Sequence, residues 1–145
     1  GWTLRNSRGQ YILTLDELEA GSLDTAEPVI EVEGDLILQL KKDTISHLES
    51  QGPVIKKGTG TLTIRGEGSL ELESADAEAI SSDWNGEELD ADHPSAVRLE
   101  AGNLTFTGAG SGIVDETVEL AGAQGTITAT SQRPMHPELL LKRLM

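Results

Sequence analysis

The sequence contains no cysteine and few aromatic residues. None of the 145 residues is Cys, and aromatic side chains make up 3% of the chain. The absence of Cys excludes disulfide bonds and thiolate metal sites, and it leaves the cellular compartment open. Compact sandwiches and helical bundles of this size usually pack more aromatic rings into their cores. The scarcity of rings therefore favours a narrow core filled with aliphatic side chains.

Positive charge and long apolar runs are also scarce. There are 11 basic residues against 25 acidic ones, which gives a formal net charge of −14. Nucleic acids and anionic membrane surfaces attract positively charged proteins, so neither is an expected partner. No apolar run approaches the ~20 residues of a membrane-spanning helix, so no membrane insertion is predicted. An acidic balance of this kind suits an exported or surface protein, or a protein that binds cations.

Isoleucine recurs at a fixed interval. Ile30, Ile55 and Ile80 are spaced by 25 residues, and each follows a small or apolar residue. A constant period of about 20 to 50 residues is typical of stacked-repeat folds. The runs around these isoleucines alternate apolar and polar residues, as strands with one buried face do. We therefore predict an all-β chain, a single-stranded parallel β-helix with three short strands per turn.

Three columns of apolar side chains are predicted to stack along the axis of this β-helix. The first column contains Ile30, Ile55, Ile80 and Ile113. The second contains Leu36/Leu38, Leu62/Ile64, Val97/Leu99 and Val118/Leu120, and the third contains Ile45, Leu70/Leu72, Leu104/Phe106 and Ile127. A partial N-terminal rung would place Trp2 and Leu4 in the second column and Ile12, Leu13 and Leu15 in the third, for about five rungs. An antiparallel β-sandwich is the alternative, but it does not explain the recurrence.

The pattern divides the chain into two parts. Residues 2–130 are the predicted β-helix, and residues 131–145 are a C-terminal tail in which Pro137 begins a short helix. The end of a solenoid exposes its core and needs a cap, so we predict that this helix caps the C-terminal end. A docking helix for another chain is the alternative. Gly1 is interpreted as the remnant of a removed tag, with any leader segment left out.

One interval of the repeat is longer than the others. The extra residues between Ile80 and Ile113 lie at 83–95, and insertions in repeat folds often form binding loops. The candidate ligand-binding residues are Asp83, Trp84, Asn85, Glu87, Asp90, Asp92 and His93. Trp84 could stack on a sugar ring or pack against the solenoid wall. The carboxylates could bind Ca²⁺ or form a solvated acidic loop.

The sequence shows no zinc or catalytic motif. His47, His93 and His136 are scattered, and the glycine-rich segments at 58–60, 66–68 and 108–112 are interpreted as rung turns. A polysaccharide lyase would need charged residues on an outer strand face. The candidates for that role are Glu71, Glu73, Arg65, Arg98, Lys56 and Lys57, all interpreted as outward-facing. A solvated charged face is the stronger interpretation, so we predict no enzyme activity and no catalytic residue.

Three segments resemble a known family. They read IEVEGDLIL from Ile30, VIKKGTGTLTIRGEGSLEL from Val54 and AISSD from Ala79. Over residues 11–130 the chain resembles the right-handed β-helix "carbohydrate-binding domain-containing" proteins exported by gut and anaerobic Firmicutes. The resemblance implies a pectate-lyase-like superhelix, a surface location, and binding of polysaccharide and Ca²⁺. The chain departs from that family because it lacks dense Asp clusters along one face.

These observations lead to one expected function and two alternatives. We expect a non-catalytic β-solenoid, extracellular or on the cell surface, that binds polysaccharide near Trp84 of the 83–95 insertion and on the outer strand face. A structural or adhesive spacer that binds a protein partner is the first alternative. A relative of polysaccharide lyases is the second. No cofactor is predicted, apart from the Ca²⁺ that the resemblance implies.

Overall fold

The computed structural model describes residues 1–83, 95–109, 112–115 and 117–129. All regular structure in these residues is β-strand, as the sequence predicted. The strands are β1 (Trp2–Ser7), β2 (Gln10–Leu15), β3 (Glu19–Ser22), β4 (Ile30–Val32), β5 (Leu36–Leu40), β6 (Ile45–Ser50), β7 (Ile55–Lys57), β8 (Gly60–Gly66), β9 (Ser69–Ser74), β10 (Ile80–Ser82), β11 (Ser95–Leu99), β12 (Asn103–Gly108), β13 (Thr117–Leu120) and β14 (Gln124–Ala129).

The strands coil into a β-solenoid of about four turns. From β2 onward, equivalent strands of successive turns pair in parallel, and together the strands form three walls. The first wall is β1-β2-β5-β8-β11-β13, the second is β3-β6-β9-β12-β14, and the third is β4-β7-β10. An isolated parallel bridge from Ile80 to Ile113 continues the third wall. The parallel solenoid predicted from the 25-residue period is therefore confirmed, and the sandwich is not the fold.

Two of the predicted columns are confirmed by the strand register. Ile30, Ile55 and Ile80 are aligned across the third wall. The second predicted column is aligned along the first wall, where Leu36, Leu62, Val97 and Val118 follow one another from turn to turn. These side chains are at most 5% exposed, apart from Ile30, which is partly buried at the N-terminal end. Leu120, also predicted for the second column, is in register with Leu99 but is 44% exposed, so it does not belong to the buried column. Aligned apolar side chains stack into a continuous core, which is the main stabilising contribution in a narrow solenoid.

The third predicted column needs one correction. Leu70, Leu72, Leu104 and Phe106 are buried and aligned as expected. Ile45 does not belong to this column, because its side chain is 59% exposed and it pairs with Ser69 rather than Leu70. A shift of one residue moves a side chain to the opposite face of a strand. Leu48 takes the buried position instead, in register with Leu72.

The N-terminal segment also differs from the prediction. Trp2 and Leu4 were expected in one column and Ile12, Leu13 and Leu15 in the next. Instead, β1 and β2 form an antiparallel hairpin, so all five residues belong to the first wall. The two loop residues, Arg8 and Gly9, have φ values of 54° and 82°. Positive φ at both positions is the signature of a type I′ turn, which reverses the chain instead of continuing the coil.

A glycine enables the close stacking at the corner between the third and first walls. Gly60 has a φ of 110°, and a Cβ at this position would lie 2.5 Å from the carbonyl carbon of Gly34 in the turn below. An L side chain would therefore be strained twice, by its backbone conformation and by a backbone neighbour that cannot move aside. The same corner carries the predicted insertion. The connection from β7 to β8 is Gly58-Thr59, whereas that from β10 to β11 is residues 83–94.

Candidate functional site

The first wall extends beyond the other two at the N-terminal end. β1 has no equivalent strand in the second or third wall. Trp2 and Leu4 lie in register with Leu15 and Leu13, so they share the face that points toward the solenoid interior. No described strand of another wall stands opposite them, and Trp2 is 62% and Leu4 52% exposed. The hairpin therefore presents an exposed apolar surface formed by Trp2 and Leu4, which we call the hairpin ledge.

A cavity of about 580 Å³ lies between this ledge and the first turn of the coil. Its apolar lining residues are Trp2, Leu4, Tyr11, Leu13, Leu15, Leu18, Ala20, Val29, Ile30, Val32 and Leu36. The volume falls within the range of about 300–1,000 Å³ that is typical of ligand pockets. A lining so rich in aliphatic side chains suits an apolar group better than a polar one.

The polar part of the same cavity is acidic. Its charged lining residues are Glu31, Glu33 and Asp35, all on or just after β4. The cavity also adjoins strand edges, because β3 and β4 have no neighbour on their N-terminal side within the described residues. Unpaired edges expose backbone donors and acceptors that can accept another strand. The N-terminal end thus combines an apolar cavity, negative charge and open strand edges.

A second group of functional side chains lies on the outer face of the second wall. His47 and Glu49 of β6 are in register with Glu71 and Glu73 of β9. Alternation along each strand directs all four side chains away from the core. His47 Nδ1 lies 3.1 Å from Glu71 Oε1, and His47 Nε2 lies 3.2 Å from Glu49 Oε2. We call these four residues the outer-face cluster.

The carboxylates of the outer-face cluster control the charge of the imidazole. Partial burial lowers the pKa of His47, but hydrogen bonds and charges from Glu49 and Glu71 outweigh this effect. The net result is a pKa raised above the ordinary 6.5. Sequence reasoning missed this group, because His47 is far from Glu71 in sequence. The available signal was the pair of motifs His-x-Glu at 47–49 and Glu-x-Glu at 71–73, nearly one repeat apart.

The predicted outward orientation of the Lys57 side chain is wrong. Strand alternation allows only one of two consecutive residues to face outward, and Lys56 takes that position while Lys57 is 1% exposed. Its Nζ donates hydrogen bonds to Asp115 Oδ2 at 2.7 Å, Ser95 Oγ at 2.9 Å and the Gly58 carbonyl at 3.0 Å. Ser95 Oγ also donates to Asp115. The group is closed to solvent, so its role is structural: its buried ion pair joins β7 to the segment at Asp115, which lies beyond β10 in the third wall.

Arg65 and Arg98, which were also suggested for a lyase, do not share a column. Arg65 lies in register with Gln39 and donates to its side chain at 2.8 Å, whereas Arg98 lies in register with Thr63. Arg98 donates to Glu100 at 2.7 Å and also to Glu119. These hydrogen bonds raise the pKa of Arg98 above its ordinary value. Both guanidinium groups are therefore engaged by neighbours on the outer face of the first wall.

Most of the predicted insertion site lies outside the described residues. This applies to Trp84, Asn85, Glu87, Asp90, Asp92 and His93, and to the predicted helix at 137–145. Asp83 is described: its side chain is exposed, and its backbone N–H donates to the Lys57 carbonyl at 3.1 Å. Ser95, at the other end of the insertion, is buried. The two ends are therefore anchored at one corner of the coil.

Comparison with known proteins found no matching family model, no matching curated protein and no matching solved structure. The structure thus defines a class, the β-solenoids, through its strand pairing alone. Within the described residues, no helix has the length and hydrophobicity that crossing a membrane requires.

Proposed function

We propose that the chain is a non-catalytic, exported or surface-displayed β-solenoid that binds an extended segment of a partner protein at its N-terminal end. The observation that carries this proposal is the 580 Å³ cavity beside the exposed hairpin ledge. Soluble proteins seldom expose contiguous apolar surface without a binding role. Large aromatic side chains such as Trp2 and Tyr11 contribute strongly to binding when a partner covers them.

The form of the partner follows from the open strand edges. An extended segment can pair with β3 or β4 through backbone hydrogen bonds, which is the β-augmentation mode of peptide recognition. Alternate side chains of such a segment point to opposite sides. One set would enter the cavity against Leu13, Leu15 and Leu36, and it would therefore be apolar.

The charge of the partner follows from the cavity rim. Glu31, Glu33 and Asp35 place three carboxylates beside the apolar lining, on a chain whose net charge is −14. A complementary segment carries Lys or Arg at positions next to its apolar side chains. Charge complementarity of this kind speeds association and excludes acidic competitors. The proposed partner is therefore a segment that alternates apolar and basic residues.

Fluorescence polarisation with synthetic peptides tests this proposal. A labelled peptide that alternates Leu or Val with Lys should bind at physiological salt, and the same peptide with Glu for Lys should not. Trp2→Ala should weaken binding by at least tenfold, since truncating a central aromatic contact commonly removes ~2 kcal/mol or more. Glu31→Gln should weaken it too, whereas Asp76→Asn, which removes one exposed charge elsewhere, should not. Equal losses in both charge variants would reveal non-specific attraction and overturn the proposal.

Polysaccharide binding at the 83–95 insertion is the second candidate function. The observation that favours it is the position of the insertion, which replaces a two-residue corner by residues 83–94. Trp84 would stack on a sugar ring, with Asp83, Asn85 and the acidic residues of the insertion as hydrogen-bond partners. A glycan array and affinity gels test this proposal. Binding that survives Trp84→Ala unchanged would reject the site.

Three finer features of the fold belong to the same proposal. We propose a right-handed coil, because parallel crossover connections are right-handed in about 98% of cases. We also propose a fifth rung and a helix at 137–145 that caps the C-terminal end. Deleting residues 137–145 should cause aggregation or lower the melting temperature. An unchanged melting curve would reject the cap and favour a docking role for this segment.

A further inference from the structure

We propose that the outer-face cluster binds Zn²⁺ through His47, Glu49 and Glu73, with Glu71 as a positioning residue. Each of the three ligands offers one donor atom, and these atoms all lie within 4.8 Å of one another. The cluster lies on the outside of the second wall and shares no residue with the N-terminal cavity. The proposal is therefore independent of the partner-binding function.

The parallel register of β6 and β9 explains why the three metal-binding side chains lie close together. His47 and Glu49 are separated by one residue on β6, so they project from the same face. Glu73 stands next to Glu49 on the following turn, in parallel register. Carboxylates that face one another across neighbouring strands repel, so a cation between them relieves a destabilising contact. Among the described residues, Glu73 makes no ion pair that could already supply this cation.

The environment of His47 favours one nitrogen as the ligand. Glu71 lies 3.1 Å from Nδ1, where it can accept a hydrogen bond from a protonated Nδ1. Nε2 lies 3.2 Å from Glu49 Oε2, and a metal that displaces the proton between these two atoms can bind both the Nε2 lone pair and the Glu49 carboxylate. A carboxylate that holds the far nitrogen of a histidine ligand is a recurrent feature of zinc sites, where it fixes the tautomer and ring orientation. Glu71 fits this role by position and chemistry.

The donor set indicates zinc rather than calcium. Zinc binds histidine nitrogen and carboxylate oxygen at about 2.0–2.2 Å, so small side-chain rotations must bring the three donors closer than 4.8 Å. The side chains of His47 and Glu49 are 35% and 31% exposed, which leaves them room to rotate and leaves a position for water. Calcium needs six to eight oxygen ligands, more than this cluster offers. Three protein ligands and a water molecule match an open four-coordinate zinc site.

Isothermal titration of the untagged chain with ZnCl₂ tests the proposal. The wild-type chain should bind one Zn²⁺ at this site. His47→Gln and Glu73→Gln should each weaken binding by ~100-fold or more, because three protein ligands are the minimum of such sites. Glu71→Gln should weaken it by about 10–100-fold, as expected for loss of a positioning residue. Glu67→Gln is the matched control, since it removes one exposed carboxylate elsewhere on the solenoid.

A second readout separates the proposed site from diffuse attraction to an acidic chain. In ¹⁵N-edited NMR spectra, Zn²⁺ should shift the His47 Nε2 resonance selectively, and CD spectra should show that every variant keeps its strands. Binding that is unaffected by His47→Gln and Glu73→Gln would overturn the proposal. Equal weakening by Glu67→Gln, or Ca²⁺ affinity equal to that for Zn²⁺, would overturn it as well.

Discussion

Replacing Lys57 by Met should destabilise the solenoid far more than the same change at its neighbour Lys56. Lys57 and Asp115 form an ion pair at 2.7 Å with both side chains 0% exposed. Methionine keeps most of the length of the lysine side chain but removes the charge and three donated hydrogen bonds. Breaking a buried ion pair by removing one partner costs about 3–5 kcal/mol, because the remaining buried charge loses its oppositely charged neighbour.

Urea unfolding followed by circular dichroism measures this difference. With a slope of about 2 kcal/mol per molar urea, a loss of about 4 kcal/mol lowers the midpoint by ~2 M. Lys56→Met is the matched control, because Lys56 lies on the same strand with its side chain exposed. Substitutions at exposed positions usually change stability by less than about 0.5 kcal/mol.

A double variant tests the electrostatic origin of the effect. Adding Asp115→Asn to Lys57→Met removes both charges, so the double variant should be more stable than Lys57→Met alone. Two outcomes would refute the reasoning. One is a Lys57→Met variant as stable as Lys56→Met, and the other is a double variant whose loss equals the sum of the single losses.

Three further predictions follow from individual positions. In urea unfolding, Gly60→Ala should destabilise the chain by more than Gly34→Ala. Both glycines have positive φ, which alone costs an alanine about 1–2 kcal/mol. Only the Cβ added at Gly60 would also clash with the backbone of a neighbouring turn. Leu48→Ala should cost about 2–5 kcal/mol and Ile45→Ala less than about 0.5 kcal/mol, and equal losses would show that the register is wrong. Because the pKa of His47 is raised from 6.5 on folding, its stabilising contribution is full below this pH and is lost as the pH rises through the raised pKa. Urea unfolding midpoints measured against pH in a chelating buffer should show this loss in the wild-type chain. The same pH dependence in His47→Gln would show that His47 is not its source.

Two physical reasons account for the differences between the predicted and the observed structure. Ile45 was placed one residue out of register, and Lys57 was assigned to the wrong face. In both cases the side chains alternate between the two faces of the strand, so a shift of one residue moves a side chain from the core to the surface or back. The hairpin at Arg8-Gly9 was missed because an apolar-polar alternation is the same in an antiparallel strand as in a parallel one. The turn decides whether the second strand runs parallel or antiparallel to the first. This turn requires positive φ at two residues, which the pattern of apolar and polar residues does not reveal.

The sequence alone determined the solenoid. Its 25-residue period, its alternating runs and its scarce aromatics were enough to predict parallel strands stacked in columns, because local alternation and repetition directly reflect burial in such a fold. Tertiary structure decided which distant residues meet. His47 reaches Glu71 and Lys57 reaches Asp115 through the pairing of successive turns. The N-terminal cavity likewise exists because β1 extends the first wall at an end where the other two walls have no matching strand, a property of the assembled coil.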